Sequence, residues 1–413
     1  MSSLTHDVIV IGGGAAGMLS SAVAASRGLK VLLIEQNEKT GKKLNITGKG
    51  RCNLTNSCSV RDVLENIPSG GKFMYSALTA FSPQSTMDFF ENLGVKLKIE
   101  RGNRVFPLSD RAADINAALT RHMKKTGVQL KTAKVVSISA NGAVSGVITD
   151  QGTFSCKNVI LCTGGASYPL TGSRGDGYKM AEDLGHNIVS IRPSLVPLTS
   201  DDDVCEKMQG LSLRNVRLYI YDSKDKLIFD DFGELLFTHF GLTGPLVLSA
   251  SAHIRDFENE NYYAVIDLKP VLDEKKLDAR ILRDFEKFSN RDFSNALSEL
   301  ANRLMIPVII EKSQIPPDTK VHSITKEQRK TLLNIFKSFR INISGTRPID
   351  EAIITSGGVD LKEVNPKTME SKLISGLYFA GEVLDLDAYT GGFNLQIAWS
   401  TAYAAATHIP LSE

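Results

Sequence analysis

The sequence predicts an α/β protein built on a parallel sheet, and the two ends of the chain carry this prediction. Residues 6–35 read as a strand, a glycine-rich turn, a small-residue helix and a second strand. From residue 376 onward, the chain again reads as a strand, a glycine-rich turn and a helix. The 413 residues suffice for two or three domains. We therefore expect one sheet that is interrupted by an inserted middle region.

The N-terminal strand, turn and helix carry the most specific motif. The turn reads Gly12-x-Gly14-x-x-Gly17. Gly12 permits a tight turn, Gly14 lets the backbone approach a pyrophosphate, and Gly17 lets the helix pack close to the sheet. Glu35 ends the second strand, 18 residues beyond Gly17, where it can hold both ribose hydroxyls of an adenosine. The pattern predicts a Rossmann-like dinucleotide site; the alternative is a glycine-rich turn in an unrelated α/β unit.

The composition indicates which binding partners and which cellular compartment to expect. The net charge of +2 gives no reason to expect nucleic acid or a membrane as a partner, and no apolar run is long enough to span a bilayer. The odd count of five cysteines and the lack of a leader predict a reducing cytoplasm. The histidines show no metal-ligand spacing, so no metal is expected. Cys52 and Cys58 could form a redox disulfide, although two unlinked thiols are the favoured interpretation.

Basic and helical patterns follow the first unit. Residues 39–53 read as a loop whose lysines and glycines wrap a phosphate or a ring, with a solvated surface as the alternative. Residues 73–125 show apolar positions at helical spacing and read as mainly helical.

A β-hairpin signal comes next. Residues 135–139 and 144–149 alternate in polarity around Asn141-Gly142, and a buried strand then runs to Thr163. A hairpin excursion that returns to a parallel strand is typical of flavoproteins with two dinucleotide-binding regions.

The middle of the chain reads as an insertion. Short alternating strands follow the boundary at residues 193–197, residues 273–338 are mostly helical, and residues 340–364 return to strands. Ser356-Gly357-Gly358 reads as a turn within the last of these segments. Nested insertions explain this order more simply than a series of separate units.

The C-terminal strand and helix match the second half of a flavin site. Glu382 follows the strand and can bond a ribityl hydroxyl, while the N–H groups around Asn394, Leu395 and Gln396 face the pyrimidine end of the flavin. The alternative is an ordinary β-α unit that caps the sheet. Together with the N-terminal motif, this segment favours FAD over NAD.

Six segments together resemble the BaiN-type bacterial flavoproteins, a family that includes aminoacetone oxidase. They are residues 41–53 (GKKLNITGKGRCN), 164–169 (GGASYP), 171–178 (TGSRGDGY), 237–245 (FTHFGLTGP), 355–359 (TSGGV) and 378–383 (YFAGEV). The resemblance covers nearly the whole chain and implies a Rossmann-like, two-dinucleotide-binding flavoprotein fold with non-covalent FAD. Arg174 and Ala388 depart from the family pattern near the expected ring end of the cofactor, which weakens any transfer of substrate choice.

The resemblance also implies three domains. They are an FAD domain (1–192 plus 356–413), an inserted β-rich substrate domain (193–270 plus 340–355) and a small helical domain (271–339). The expected cofactor-binding residues are Gly12, Gly14, Ala15, Ala16, Gly17, Glu35, Gln36, Lys43, Thr47, Gly48, Gly50, Arg51, Cys52, Asn53, Val135, Thr163, Gly164, Gly165, Gly381, Glu382, Asn394, Leu395 and Gln396.

Five residues are candidates for contacting the substrate: Arg51, Tyr168, Arg174, His239 and Tyr389. His239 can donate a proton near neutral pH, although a histidine that caps the turn before Pro245 is the favoured interpretation. Arg174 can anchor a carboxylate, or it is a surface arginine in a loop. No spacing dictates a general base.

Three functions remain open from the sequence. In the first, a small amine reduces FAD and oxygen reoxidises it, as the resemblance to aminoacetone oxidase implies. In the second, NAD(P)H visits the flavin transiently and an unsaturated or steroid-like substrate is reduced. A second Gly-x-Gly-x-x-Gly after a strand does not occur, which favours the first. In the third, the protein is a non-enzymatic FAD-binding partner of RNA. The oligomeric state stays open.

Overall fold

The computed structural model describes residues 6–411. They form two compact units, one with the residues up to Ser194 and those from Pro348 onward, the other with Leu195–Arg347. The three-domain division, with 271–339 as a separate helical domain, stays a prediction. Within the described range, no helix combines the length and the apolar character needed to cross a bilayer.

A mixed sheet forms the centre of the first unit. Val31–Glu35, His6–Ile11, Gly152–Leu161 and Leu377–Phe379 lie side by side in this order and run parallel. Gln129–Thr132 extends the sheet beyond Val31–Glu35. The apolar runs of the central strands are buried, as expected for a parallel sheet covered on both faces.

The predicted hairpin is confirmed beside this sheet. Val135–Asn141 pairs in antiparallel fashion with Ala143–Thr149, and Gly142 between them has φ +70°. Ala143–Thr149 also pairs with the start of Gly152–Leu161. The chain therefore leaves the parallel sheet, forms a hairpin and returns to the strand that ends at the candidate site.

Helices cover the sheet of the first unit. Ala15–Ser26 starts directly after the glycine turn and packs against Phe393–His408, and both helices are rich in small, buried residues. The other helices are Lys42–Ile46, Val60–Glu65, Tyr75–Ala80, Pro83–Asn92, Ala112–Thr126 and Asp176–Glu182. The remaining strands are Thr55–Asn56, Leu97–Glu100, Arg104–Pro107, Ile188–Ser194 and Ile354–Val359.

One local prediction in this unit is wrong in part, and another is confirmed. Residues 39–53 are not a loop throughout, because Lys42–Ile46 forms a helix. Residues 73–125 are mainly helical as predicted, and Leu97–Glu100 and Arg104–Pro107 interrupt the helices as a pair of antiparallel strands.

The turn predicted at Ser356-Gly357-Gly358 is also wrong. These residues lie within the strand Ile354–Val359, which pairs with Ile188–Ser194. A Cβ on Gly357 would overlap the carbonyl oxygen of Ser190. The glycine therefore serves a close approach of two strands rather than a reversal of the chain.

The second unit combines an antiparallel sheet with helices around one core. Its strands are Leu198–Thr199, Ser212–Asp222, Leu227–Thr238, Gly241–Thr243, Tyr262–Asp267, Phe339–Ile343 and Gly345–Thr346. Its helices are Val204–Lys207, Pro245–Ser251, Glu274–Lys287, Phe293–Ala296, Ile306–Ser313 and Lys326–Lys337. Phe237 from the sheet and Phe293 and Phe336 from the helices are fully buried in the same cluster.

Candidate functional site

A long cavity follows the carboxyl ends of the four central parallel strands. The strand order places Glu35, Gly12, Thr163 and Ala380 side by side at this edge, and all four line the cavity. Adjacent strands are ~4.8 Å apart, so the outer two of the four are ~14 Å apart. An extended cavity at this edge suits an elongated ligand such as a dinucleotide.

The glycine turn presents bare backbone in the middle of this first cavity. Gly12 has φ +97°, and a Cβ on it would lie 2.6 Å from the carbonyl oxygen of Cys162. A Cβ on Gly17 would overlap the carbonyl oxygen of Gly12, so this glycine permits the close packing of helix and strand. A Cβ on Gly14 would meet no protein atom within 4 Å and would project into open space. The backbone at Gly14 therefore leaves room for a phosphate.

Glu35 is fixed at one end of the first cavity. Its Oε2 accepts a hydrogen bond from the N–H of Gly13 at 2.6 Å. Its Oε1 accepts two more from Asn37, from the backbone N–H at 2.8 Å and from the side-chain amide at 2.7 Å. A carboxylate has about four acceptor sites. One site is left for a ligand, rather than the two expected for a pair of ribose hydroxyls.

Glu382 and Lys43 form an ion pair at the other end. Lys43 Nζ lies 2.7 Å from Glu382 Oε2 and donates to Ser167 Oγ at 2.8 Å. Glu382 Oε1 accepts from the backbone N–H of Thr355 at 3.0 Å and from Ser167 Oγ at 3.2 Å. Only 12% of the Glu382 side chain is exposed. The network holds this carboxylate in place, and its bond to a ribityl hydroxyl stays a prediction.

The C-terminal helix also begins at this cavity. Asn394 fixes the preceding turn, because its Oδ1 accepts from the N–H of Ala388 at 2.8 Å and its amide donates to the Ala388 carbonyl at 2.7 Å. Asn394 and Leu395 line the cavity. The first N–H groups of a helix have no partner within it, so they are available to a ligand.

Two groups in the cavity wall bear on the fit of a ligand. Thr163 Oγ1 is buried and finds no hydrogen-bond partner within residues 6–411. This oxygen faces the backbone of Gly177, because a Cβ on that glycine would overlap it. Burial raises the pKa of the Cys162 thiol to about 12, so the thiol stays protonated and is a poor nucleophile. Cys162 is therefore poorly suited to form a covalent bond with a ligand of this cavity.

Most of the expected cofactor residues line this cavity. They are Gly12, Gly14, Ala15, Ala16, Glu35, Gln36, Lys43, Thr47, Val135, Thr163, Gly164, Gly381, Glu382, Asn394 and Leu395. Eight others do not line it: Gly17, Gly48, Gly50, Arg51, Cys52, Asn53, Gly165 and Gln396. Cofactor roles for all these residues stay predictions.

Gln396 does not line the first cavity, although Asn394 and Leu395 directly before it do. Its side chain is fully buried and accepts hydrogen bonds from Thr55 Oγ1 at 2.6 Å and Thr86 Oγ1 at 2.9 Å. Its backbone N–H donates to the carbonyl of Gly392 at 3.0 Å and is used within the helix. Gln396 therefore braces the helix instead of offering a donor to the cavity.

The wall also contains residues that sequence reasoning missed. Among them are Gly13, Asn37, Lys134, Ser173, Ile354 and Leu386. Gly13 and Asn37 adjoin predicted residues and could have been included for that reason. Ser173 lies in a segment already used for the family resemblance, and Ile354 and Leu386 each lie within three residues of such a segment.

A second cavity in the same unit meets the first along two chain segments. Thr47 lines the first cavity and Gly48 the second, and likewise Asn394 lines the first and Phe393 the second. The charged residues in its wall are Lys49, Arg51, Asp62 and Arg104, and the aromatic ones are Phe106 and Phe393. The second cavity is therefore mostly polar, with an excess of positive charge.

Arg51 lines this second cavity, and its guanidinium is already paired. It donates to Glu100 Oε1 at 2.5 Å and to Asp110 Oδ1 at 2.5 Å, and Lys98 Nζ contacts the same Asp110 at 2.6 Å. The hydrogen bonds to Glu100 and Asp110 raise the pKa of Arg51, and those from Lys98 and Arg51 lower the pKa of Asp110. The guanidinium also lies 4.2 Å from the centre of the Phe106 ring. Arg51 does not line the first cavity, and its role toward a cofactor or a substrate stays a prediction.

Three other substrate candidates lie in the first unit. Tyr168 is half-buried with φ +54°, and Lys43 Nζ lies 5.9 Å from the centre of its ring. Arg174 is exposed, and its Nε lies 3.5 Å from the carbonyl oxygen of Pro169, as expected for the surface-loop alternative. The backbone N–H of Tyr389 donates to the carbonyl of Asn66 at 3.1 Å. None of the three lines the first cavity, and their roles stay predictions.

His239 lies in the second unit. It is exposed at the tight turn between Leu227–Thr238 and Gly241–Thr243, and its ring contacts the Phe240 ring edge-on at 5.1 Å between centres. Thr238 Oγ1 closes the turn by donating to the Gly241 carbonyl at 3.0 Å. A catalytic role for His239 stays a prediction.

One buried hydrogen-bond chain was missed from the sequence. His186 Nδ1 lies 3.0 Å from Glu363 Oε2, and its Nε2 lies 2.8 Å from Ser371 Oγ. This order of serine, histidine and carboxylate resembles a hydrolytic triad. However, Ser371 Oγ also accepts from the N–H groups of residues 373 and 374, and none of the three residues lines either cavity. This series of hydrogen bonds therefore stabilises a buried turn.

The comparison with known families identifies the chain. A sequence model of the HI0933-like protein Rossmann domain matches residues 6–408. The chain belongs to this HI0933-like family. The membership confirms the predicted α/β Rossmann-like fold and the resemblance to the BaiN-type flavoproteins. The protein is an oxidoreductase of the flavoprotein class, as the sequence predicted.

Two curated relatives match over almost their whole length. The ribosomal RNA dihydrouridine synthase of Escherichia coli (strain K12) is 31% identical over 97% of this chain and 97% of its own. The 3-dehydro-bile acid delta(4,6)-reductase of Clostridium scindens is 30% identical over 96% of this chain and 97% of its own. Among solved structures, 3-ketosteroid delta1-dehydrogenase from Sterolibacterium denitrificans is 13% identical, with a TM-score of 0.49 over 98% of this chain and 99% of that one.

Proposed function

We propose that this protein adds hydrogen across a C=C bond conjugated with a carbonyl group, with non-covalent FAD as cofactor and NAD(P)H as a transient reductant. Two-electron transfer is the chemistry that a flavin supplies when bound. The residues of the chain bind and orient that cofactor and hold polar groups around it.

The observation that carries the proposal is a bond change shared by two relatives. Dihydrouridine is uridine with hydrogen added across the C5–C6 bond, next to a ring carbonyl. A delta(4,6)-reductase of a 3-dehydro-bile acid acts on C=C bonds in conjugation with a ketone. The two substrates differ greatly, whereas both relatives cover nearly the whole of this chain. The shared type of bond is therefore better supported than either substrate.

The first cavity supports FAD. Gly14 leaves room for a pyrophosphate at the middle of the sheet edge, Glu35 offers one acceptor site at one end, and the Lys43–Glu382 pair lies at the other. The N-terminus of Phe393–His408 adds a partial positive charge, which favours an electron-rich ring nearby.

NAD(P)H is proposed to bind only transiently, because the sequence holds one dinucleotide-binding glycine motif. FAD at that fingerprint leaves NAD(P)H without a dedicated glycine turn and helix N-terminus for its pyrophosphate. Weak, transient binding of the reductant follows.

The expected amine oxidation stays a prediction. No contact among residues 6–411 favours an amine over an unsaturated carbonyl compound, whereas the names of the two relatives favour the latter. The same names argue against a non-enzymatic role. They also make RNA a candidate substrate, in contrast to the expectation from the net charge of +2.

The test is an anaerobic product analysis. FAD-loaded protein is mixed with NADPH and then, separately, with a uridine-containing oligoribonucleotide, a 3-oxo-4-ene steroid or aminoacetone. We expect mass spectrometry to find two added hydrogens in the RNA or in the steroid, and none when NADPH is omitted. Flavin bleaching by aminoacetone in the samples without NADPH, with no hydrogen added to either unsaturated compound in the samples with NADPH, would contradict the proposal and support amine oxidation.

A further inference from the structure

The second cavity holds two cations that the protein does not neutralise. Within the described part of the chain, the Lys49 ammonium has no hydrogen-bond or ion-pair partner. Arg104 uses its Nε to donate to the Arg101 carbonyl at 3.0 Å, and its two terminal nitrogens have no acceptor there. Arg51 differs, because Glu100 and Asp110 already balance its charge. Lys49 and Arg104 are therefore the cations open to an anionic ligand.

Both cations are carried on well-defined backbone. Lys49 has φ +58° in the tight turn that follows Lys42–Ile46. Arg104 begins the strand Arg104–Pro107, which is paired on both sides, with Thr55–Asn56 and with Leu97–Glu100. A charge on an ordered turn or a central strand loses less freedom when it binds an anion than one on a loose loop.

The cavity also offers a neutral acceptor. The amide oxygen of Asn53 is buried and has no hydrogen-bond partner among the residues described. Asn56, only 5% exposed, donates from its amide to the carbonyl oxygens of Gly102 at 3.0 Å and Gly391 at 3.1 Å. Asn56 thus ties together two loops of the wall, and the amide oxygen of Asn53 is an unsatisfied acceptor in the same wall.

This chemistry is complementary to a nucleotide. Two cations suit a phosphate, and an amide oxygen suits an N–H of a planar ring. A steroid body is a poorer fit, because such ligands need a predominantly apolar wall and the only aromatic side chains here are Phe106 and Phe393.

We propose that the second cavity binds a nucleotide, with Lys49 and Arg104 holding its phosphate and Asn53 accepting a hydrogen bond from its ring. The position of this cavity beside the first, where Thr47 meets Gly48 and Asn394 meets Phe393, brings the ring toward the proposed flavin site. The nucleotide is the substrate or the reductant of the proposed reaction, and the inference rests on the proposed function for that link alone.

The test measures binding, not turnover. Isothermal titration calorimetry of FAD-loaded protein uses uridine 5′-monophosphate for the substrate and NADP⁺ for the reductant. The variants are Lys49→Gln, Arg104→Gln and both together. Arg101→Gln is the matched control, because it removes the same charge from an exposed neighbour outside the cavity wall. Lys49→Arg tests recovery of the charge.

We expect each single variant to raise the dissociation constant of at least one nucleotide by about tenfold. Arg101→Gln should leave the dissociation constant nearly unchanged. Lys49→Arg should retain most of the wild-type affinity that Lys49→Gln loses. A change confined to uridine 5′-monophosphate identifies the substrate, and one confined to NADP⁺ identifies the reductant. No binding of either nucleotide, equal loss in Arg101→Gln, or unaltered binding in the double variant would overturn the proposal.

The two proposals fail separately. If the second cavity binds no nucleotide, the nucleotide site is rejected. The proposed reaction is still decided separately, by the mass-spectrometric search for hydrogenated products. Conversely, nucleotide binding that depends on Lys49 and Arg104, with no hydrogenated product, would keep this site and reject the proposed reaction.

Discussion

The first cavity is walled by backbone and by residues at strand ends, whereas the second is walled by side chains from separate elements. Gly12, Gly14 and Glu35 come from one short stretch of chain, and their geometry follows from the strand order. Arg51 and Arg104 instead reach the second cavity from segments that only tertiary pairing brings together. The geometry of the first cavity is therefore set by local sequence, and that of the second by tertiary pairing.

The largest expected effect separates two glycines of one motif. Gly14→Val keeps an allowed backbone, since Gly14 has φ −80° and ψ −166°, but it fills the space proposed for the pyrophosphate. We expect FAD to bind more than about 100-fold more weakly, while the melting temperature of the cofactor-free protein changes little. Equilibrium dialysis with FAD and calorimetry measure the two quantities.

Gly17→Val is the matched control for that change. Its Cβ would overlap the carbonyl oxygen of Gly12, so the cofactor-free fold itself should lose ~3 kcal/mol of unfolding free energy. If Gly14→Val unfolds the protein as Gly17→Val does, the bare backbone at Gly14 serves packing rather than a ligand.

The next effect concerns the end of the first cavity. Glu35→Gln places an amide where Gly13 and Asn37 both donate hydrogen bonds, so one donor loses its acceptor. We expect FAD affinity to fall by ~2 kcal/mol, about thirtyfold. Glu38→Gln, at an exposed position that does not line the cavity, is the control. Equal FAD affinity for Glu35→Gln and wild type would exclude the ribose contact.

A smaller effect tests whether Arg51 serves only the second cavity. Arg51→Gln should leave the dissociation constant of FAD nearly unchanged and raise the KM of the proposed substrate by at most about fivefold, because its ion pairs are partly exposed. Steady-state kinetics and FAD titration measure both values. A large increase in the dissociation constant of FAD would instead indicate that Arg51 contributes to cofactor binding.

The smallest effect is a pH dependence. Arg51 lowers the pKa of Glu100, and Lys98 lowers that of Asp110, each through a hydrogen bond. Their stabilisation is complete above the ordinary carboxyl pKa, about 4, and is lost as the pH falls through the lowered folded-state values. The difference in unfolding free energy between wild type and Arg51→Gln should stay constant from about pH 8 to pH 5. A difference that disappears by pH 6 would contradict this assignment.

Sequence reasoning predicted the first cavity well because its determinants are local. A strand, three spaced glycines and a terminal carboxylate within about thirty residues form the pattern that predicts a phosphate and ribose site. The C-terminal half was equally readable, since Glu382 and Asn394 follow a strand and a glycine turn. The sequence did not indicate that the Gln396 side chain is buried, because a buried position and a cavity-lining position look alike along one helix.

The second cavity was readable only in part, because residues 48–53 belong to a segment expected to wrap a phosphate or a ring, whereas its other determinants are not local. Leu97–Glu100 and Arg104–Pro107 become strands through pairing with each other and with Thr55–Asn56, in a region whose spacing indicated helices. Lys42–Ile46 becomes a helix as Leu44 is buried beside Ala112–Thr126. In short segments of this kind, tertiary contacts determine the secondary structure more than the intrinsic helix or strand propensity of the residues does.

The most direct test of the central claim is a single anaerobic mixing experiment. FAD-loaded protein is reduced by light, so that no nicotinamide is present, and is mixed with a uridine-containing oligoribonucleotide or with a 3-oxo-4-ene steroid while the flavin absorbance is followed. The account predicts that the yellow absorbance returns without oxygen for one of the two compounds, with one equivalent of hydrogenated product. Absorbance that returns only when oxygen is admitted, with no hydrogenated product from either compound, would contradict it.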